Sequence, residues 1–163
     1  MNKTKYGKFM YNLCLNISKK LNSHIIIYYI LSYTWGLMMT SIGLVTSLIL
    51  LICGKKPIKY GKTFYFKIFK RWGGLELGHM FVRDKTSSEH VNYHEYGHTF
   101  QNAILGPLFI PLVSIPSAIR YWYRNFLFRF KFEKYCKLSD YDSIWFEGNA
   151  TDIGKLLINK EVK

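Results

Sequence analysis

The segment His94-Glu95-Tyr96-Gly97-His98 is an H-E-x-x-H pentapeptide, and it is the part of the chain whose residue types point to chemistry. On a helix, positions four apart lie on one face, where two imidazoles can bind a single Zn²⁺. Glu95 turns partly toward the same side, where a carboxylate can take a proton from a zinc-bound water. The plain alternative is a surface helix with two unliganded histidines.

Catalytic zinc usually takes three protein ligands and leaves a fourth position for water. The strongest candidate for the third is Glu147, in Trp145-Phe146-Glu147-Gly148-Asn149-Ala150-Thr151-Asp152-Ile153-Gly154. An acid in a helical run with a small residue three positions later can pack closely against the first helix, and Ala150 faces the same way. His79, His90, Asp140 and Asp142 are weaker candidates, because none sits in a comparable helical frame.

Together the two segments resemble the gluzincin group of zinc metallopeptidases, in which H-E-x-x-H is followed on a later helix by a glutamate ligand. More narrowly, Tyr93 through Gln101, Leu105-Gly106-Pro107-Leu108 and Ile115-Pro116-Ser117 resemble a family of small bacterial membrane-associated proteins of metallopeptidase type. The likeness covers roughly residues 63 to 157. It implies Glu95 as general base and His94, His98 and Glu147 as metal ligands. In that pattern the glutamate is followed by alanine at the third position, often Asp or Asn at the fourth, and glycine at the seventh. Here Ala150 and Gly154 are in place, Thr151 holds the fourth position, and the acid, Asp152, comes one later. The family's acid orients a zinc-binding histidine from behind, so the resemblance assigns that role to Thr151 or Asp152. Tyr141, Tyr135 and His90 are all candidates for stabilising an oxyanion.

The elements that must position these residues start with a long apolar stretch. Residues 25–54 contain no charged side chain. That exceeds the roughly 20 residues that span a bilayer, and a chain of 163 residues cannot build a soluble core around a helix of that length. A single tilted transmembrane helix over 25–54 is therefore expected, after a basic segment at 1–24 and before a zincin-like domain at 55–163. The stretch is too long, and starts too late, for a typical signal peptide. Residues 1–75 hold 12 of the 23 Lys and Arg and none of the 10 acids. The net charge of +13 is thus juxtamembrane, which suits anionic headgroups and disfavours nucleic acid as partner. Both flanks of the stretch are basic; the second is the more so, which favours a cytoplasmic catalytic domain. Three cysteines, Cys14, Cys53 and Cys136, an odd number without C-x-x-C spacing, indicate neither a disulfide framework nor a thiolate zinc site.

Thr63–Lys70 and Leu75–Val82 have strand-like content on either side of Gly73-Gly74, so a β-hairpin is expected over about 63–83. It either offers an edge to an extended peptide or simply covers the helix. Ser87-Ser88-Glu89-His90 provides capping residues for an active-site helix over about 89–104, and the glutamate-ligand helix is expected over about 141–158. Between them, residues 103–119 are apolar but carry Pro107, Pro111 and Pro116. One crossing there would put the histidines and Glu147 on opposite sides of the bilayer, so a re-entrant or surface-packed segment is expected. Basic and aromatic residues then alternate over 120–137, which fits a headgroup layer better than stacked bases.

The sequence thus reads as mainly α with a small β-hairpin: one N-terminal transmembrane helix and a compact helical zincin-like domain. The function that the resemblance implies is that of a membrane-anchored Zn²⁺ peptidase, and anchoring restricts its substrate to a membrane-proximal peptide or protein. The alternatives are a non-catalytic membrane protein with a structural or degenerate metal site, and an intramembrane protease. The second is disfavoured by the polar cluster Asn92, His94, Glu95, His98, Gln101 and Asn102.

Overall fold

The computed structural model describes residues 4–70, 72–131 and 138–161. Within them lie six α-helices: α1 (Lys5–Ser23), α2 (Ile25–Tyr33), α3 (Leu37–Ile52), α4 (Glu89–Leu105), α5 (Ile115–Arg129) and α6 (Trp145–Glu161). The strands are β1 (Ile58–Tyr60), β2 (Thr63–Lys67), β3 (Gly74–Leu77) and β4 (Met80–Arg83). The chain is therefore mainly α with a small four-stranded mixed sheet.

The 1–24 segment is an amphipathic helix. Thr4 caps α1 by accepting from the Gly7 amide at 3.1 Å, and Gly7, Met10, Cys14, Ser18 and Leu21 form its buried stripe. Those spacings of three and four residues mark one helical face. That face packs on α6: Asn149 Nδ2 donates to the Tyr11 carbonyl at 2.9 Å, and the Tyr11 hydroxyl bonds Asp152.

No single helix among the described residues is long and apolar enough to cross a membrane. The expected helix over 25–54 is instead two helices, α2 and α3, bent by 87° at Thr34–Gly36. The break is chemical. The Gly36 amide bonds the Leu31 carbonyl at 2.7 Å instead of that of Ser32, and Thr40 Oγ1, from the start of α3, takes the Ser32 carbonyl at 2.7 Å, so a hydroxyl fills a carbonyl that a continuous helix would use.

The sheet also differs from the expected hairpin. Strand order is β1-β2-β4-β3, with β2 and β4 parallel and the other pairs antiparallel. Gly73-Gly74 is not the hairpin turn; the reversal falls inside the second apolar run, between β3 and β4, where Gly78 has φ of +76°. β3 is left as an edge strand.

α4 begins after a loop held by one acid. Asp84 accepts from the amides of Gly73 (2.9 Å) and Thr86 (2.6 Å) and from the hydroxyls of Thr86 (2.7 Å) and Ser87 (2.5 Å). Burial acts to raise its carboxyl, but these four donors outweigh it and hold the group well below the usual carboxylate range. The stabilisation is thus present above the unfolded carboxylate value of about 3.9 and is lost as pH falls toward the lower folded value.

α4 and α6 cross at backbone distance. A Cβ on Gly97 would lie 1.8 Å from the Ala150 carbonyl oxygen, and one on Gly154 would lie 1.9 Å from that of Tyr93. Gly154→Ala should therefore destabilise the fold by about 1–3 kcal/mol, measured by denaturant unfolding in mild detergent. Asp84→Asn should be less stable than wild type at pH 7, with the gap closing below about pH 3.9. A gap constant across that range would contradict an ionised, hydrogen-bonded Asp84.

Candidate metal centre

His94 and His98 sit one turn apart on α4, and the α4–α6 contact brings Glu147 up to both. His94 Nε2 and His98 Nε2 are 3.1 Å apart. Glu147 Oε2 lies 3.0 Å from the first and 3.4 Å from the second. All three residues are buried, Glu147 completely. They are the one group of three or more His, Cys, Asp and Glu among the described residues whose donor atoms could hold a metal ion.

The donor chemistry fits a divalent cation. Tetrahedral bonds of about 2.0–2.1 Å put ligand atoms about 3.3 Å apart, which the three separations bracket. The tautomers fit as well. Gln101 Nε2 donates to the Phe146 carbonyl at 2.9 Å and to Asn149 Oδ1 at 2.8 Å, which leaves Gln101 Oε1 facing His98 Nδ1 at 2.7 Å. That oxygen only accepts, so His98 carries its proton on Nδ1. Thr151 Oγ1 donates to Asp142 Oδ2 at 3.0 Å and lies 2.9 Å from His94 Nδ1, so it accepts the His94 proton. Both Nε2 lone pairs are left converging on Glu147, an arrangement that a cation relieves.

Electrostatics point the same way. Burial lowers the proton affinity of His94, but the carboxylates of Glu147, Glu95 and Asp142 more than reverse it, and the group titrates above its ordinary value. A proton there stands where a metal would. Burial acts to raise Glu147, yet the two histidines hold it well below the carboxylate range. Glu147 Oε1 has no hydrogen-bond partner.

Glu95 is buried beside the triad against β3, where a Cβ on Gly74 would lie 2.6 Å from Glu95 Oε1. Burial pushes its carboxyl above the usual range, with Glu147 adding to the rise and the two histidines opposing it. Tyr141 lies on the other side, its hydroxyl 3.1 Å from Ser117 Oγ and its ring centroid 6.1 Å from that of His94. Burial pushes this phenol up, so it remains a donor. A cavity of about 470 Å³ opens on these groups, lined otherwise by Trp72, Leu75, Phe109, Val113, Tyr121 and Trp122.

Other expected site residues fall in different places. Thr151 stands behind His94, and the acid behind Thr151 is Asp142, from the turn before α6. Asp152 is on the outer face of α6, bonded to Tyr11, and takes no part in the site. His90 is at the cavity rim, half exposed, 3.3 Å from Asp142. His79 is packed among Tyr28, Tyr29, Tyr33 and Phe64, away from the triad, and the Asp140 carbonyl accepts from Arg120. Tyr135 lies outside the described residues. Gln101 and Asn149 are the supports that motif reasoning missed; Gln101 is three residues after His98 on the same face, which was the available signal.

The chain matches no protein-family model, no curated protein and no solved structure. Its site therefore rests on its own geometry. That geometry predicts that Thr151→Val and Asp142→Asn each weaken zinc binding by about 10–100-fold in competition with a chromophoric chelator, while Asp152→Asn leaves it unchanged. An effect of Asp152→Asn equal to that of Asp142→Asn would sink this relay.

Proposed function

We propose that the chain is a zinc-dependent peptidase whose ligands are His94, His98 and Glu147 and whose general base is Glu95. The observation that carries the reading is the convergence of three metal-donor atoms beside a buried carboxylate, at the floor of a cavity. His94 and His98 line that cavity while Glu147 closes the triad from behind, which leaves room for the fourth position that hydrolytic sites keep and structural sites fill.

Zinc bound there supplies Lewis acidity to a scissile carbonyl and acidifies the attacking water. The chain's own groups do the rest. Glu95 takes the proton from that water and passes it to the leaving amine, a role that its raised carboxyl suits. Tyr141 presents a protonated hydroxyl beside the ligands, which is what a developing oxyanion needs. The outer edge of β3 borders the cavity through Gly74, Leu75 and Glu76. An extended substrate can add there as a further strand, which holds the peptide in register over Glu95. Aromatic and aliphatic walls favour apolar side chains on the substrate.

Glu95→Gln should retain bound zinc and lose about 10²–10⁴-fold in the cleavage of a mixed peptide library, read by mass spectrometry. Cleavage undiminished in Glu95→Gln, or wild-type cleavage insensitive to a zinc chelator, would overturn the assignment.

A further inference from the structure

The helices that carry the apolar stretch are built inside out. The buried positions of α3 are Met39, Thr40, Gly43 and Ser47, and those of α2 are Tyr28 and Ser32. Gly43 is pressed so closely on the sheet that a Cβ would lie 2.0 Å from the Leu77 carbonyl oxygen. The exposed positions are aliphatic: Ile26, Ile27, Ile30, Leu37, Met38, Ile42, Leu44, Val45, Leu48, Ile49, Leu51 and Ile52 are each at least 48% exposed. Small and hydroxylated residues inside with aliphatic residues outside is the pattern of helices whose outer solvent is lipid.

The packing also fixes which side each end of the stretch lies on. α1 precedes it, and α6 follows both it and the proline-rich segment, yet α1 and α6 are packed face to face through Tyr11, Asn149 and Asp152. A single crossing by residues 25–54 would separate α1 from α6. A single crossing by residues 103–119 would separate His94 and His98 from Glu147, which lie within 3.4 Å of it. Each excursion therefore returns to the side it left. The two turning points also meet. The second pair, α4 and α5 with the short turns between them, bends by 117° near Gly106–Ile110. Trp35, at the α2–α3 corner, donates Nε1 to the Ile104 carbonyl at 3.2 Å. Its indole fills the space over Gly106, where a Cβ would lie 2.3 Å from Trp35 Nε1.

We infer that the corners of the two bent helix pairs, within residues 25–54 and 103–119, form one charge-free tip that enters a single leaflet of an anionic bilayer and does not cross it. The tip exposes Trp35, Leu37, Met38 and Leu108, and neither 25–54 nor 103–119 contains a charged side chain. α2 has nine residues, a length of about 13 Å, near half of the roughly 30 Å hydrocarbon core. Charge complements the anionic surface on every flank: Lys19 and Lys20 precede the tip, Lys55, Lys56 and Lys59 follow it, and Arg129 ends α5, which carries no acid. Basic residues at both ends of an apolar stretch are ambiguous for a crossing helix. For a re-entrant one both ends lie on one side, and the positive-inside rule then places them, with the metal centre, at the cytoplasmic leaflet. His98 is seven residues from the end of α4, about 10 Å, so the triad sits at the level of the headgroups.

The test uses the full chain with Cys53 and Cys136 replaced by serine, reconstituted in vesicles of phosphatidylcholine with phosphatidylglycerol. In the double variant Lys20→Cys/Lys56→Cys, an external membrane-impermeant maleimide should leave each molecule with two labels or none, whatever the mixture of orientations. Molecules with one label each would establish a crossing between residues 20 and 56 and overturn the inference. In a separate variant, Met38→Cys should be shielded in vesicles and reactive after detergent is added. Failure of the protein to float with the vesicles, or labelling of Met38→Cys at the rate of Lys56→Cys, would equally overturn it. None of these readouts depends on peptidase activity or bound metal, so the outcome is independent of the proposed reaction.

Discussion

Everything at the candidate centre depends on how closely α4 and α6 approach each other. Side-chain packing holds helix axes about 8–10 Å apart. Here Gly97 meets the Ala150 carbonyl and Gly154 meets that of Tyr93, so backbone touches backbone at two points along the crossing. Only then does Glu147, a side chain of modest reach, arrive within 3.0–3.4 Å of two imidazoles on the other helix. The same closeness excludes water, and it explains why Gln101, Asn149, Thr151 and Glu147 are buried together.

A dry polar cluster demands complete hydrogen bonding. Two chains provide most of it, and among the ligand atoms Glu147 Oε1 is left without a partner. One runs from the Tyr11 carbonyl through Asn149 and Gln101 to His98, and the other from Asp142 through Thr151 to His94. Each ends on a ring Nδ1, and together they leave both Nε2 atoms as acceptors 3.1 Å apart. Two lone pairs and a buried carboxylate meeting at one point make sense as a receptor for positive charge. The link to α1 through Tyr11 also means that the segment preceding the apolar stretch is tied to the candidate centre.

What the sequence made legible followed from local spacing. H-E-x-x-H, and the series Glu147, Ala150, Gly154, each lie on one helix, so a helical period suffices to place them on one face. The position of Asp142 was not legible, because it reaches Thr151 from a turn nine residues earlier and only the fold brings the two together. Hydropathy over 25–54 counted apolar residues correctly but was blind to the corner, where the Thr40 hydroxyl takes the Ser32 carbonyl out of the helical ladder. The sheet was misread because two apolar runs look alike whether paired with each other or not. The true reversal, at Gly78, is hidden inside one of them, and β2 pairs with β4 in parallel. The stripe of α1 was masked by the lysines between its buried positions.

The central claim is that three residues from two helices form one metal site. Elemental analysis of the chain purified in mild detergent, for wild type, His94→Ala and Glu147→Ala, tests it most directly. The account predicts one zinc per chain in the wild type and loss of that zinc in both variants, with helix content unchanged. Zinc retained in Glu147→Ala, or no zinc in the wild type after incubation with the metal, would contradict it.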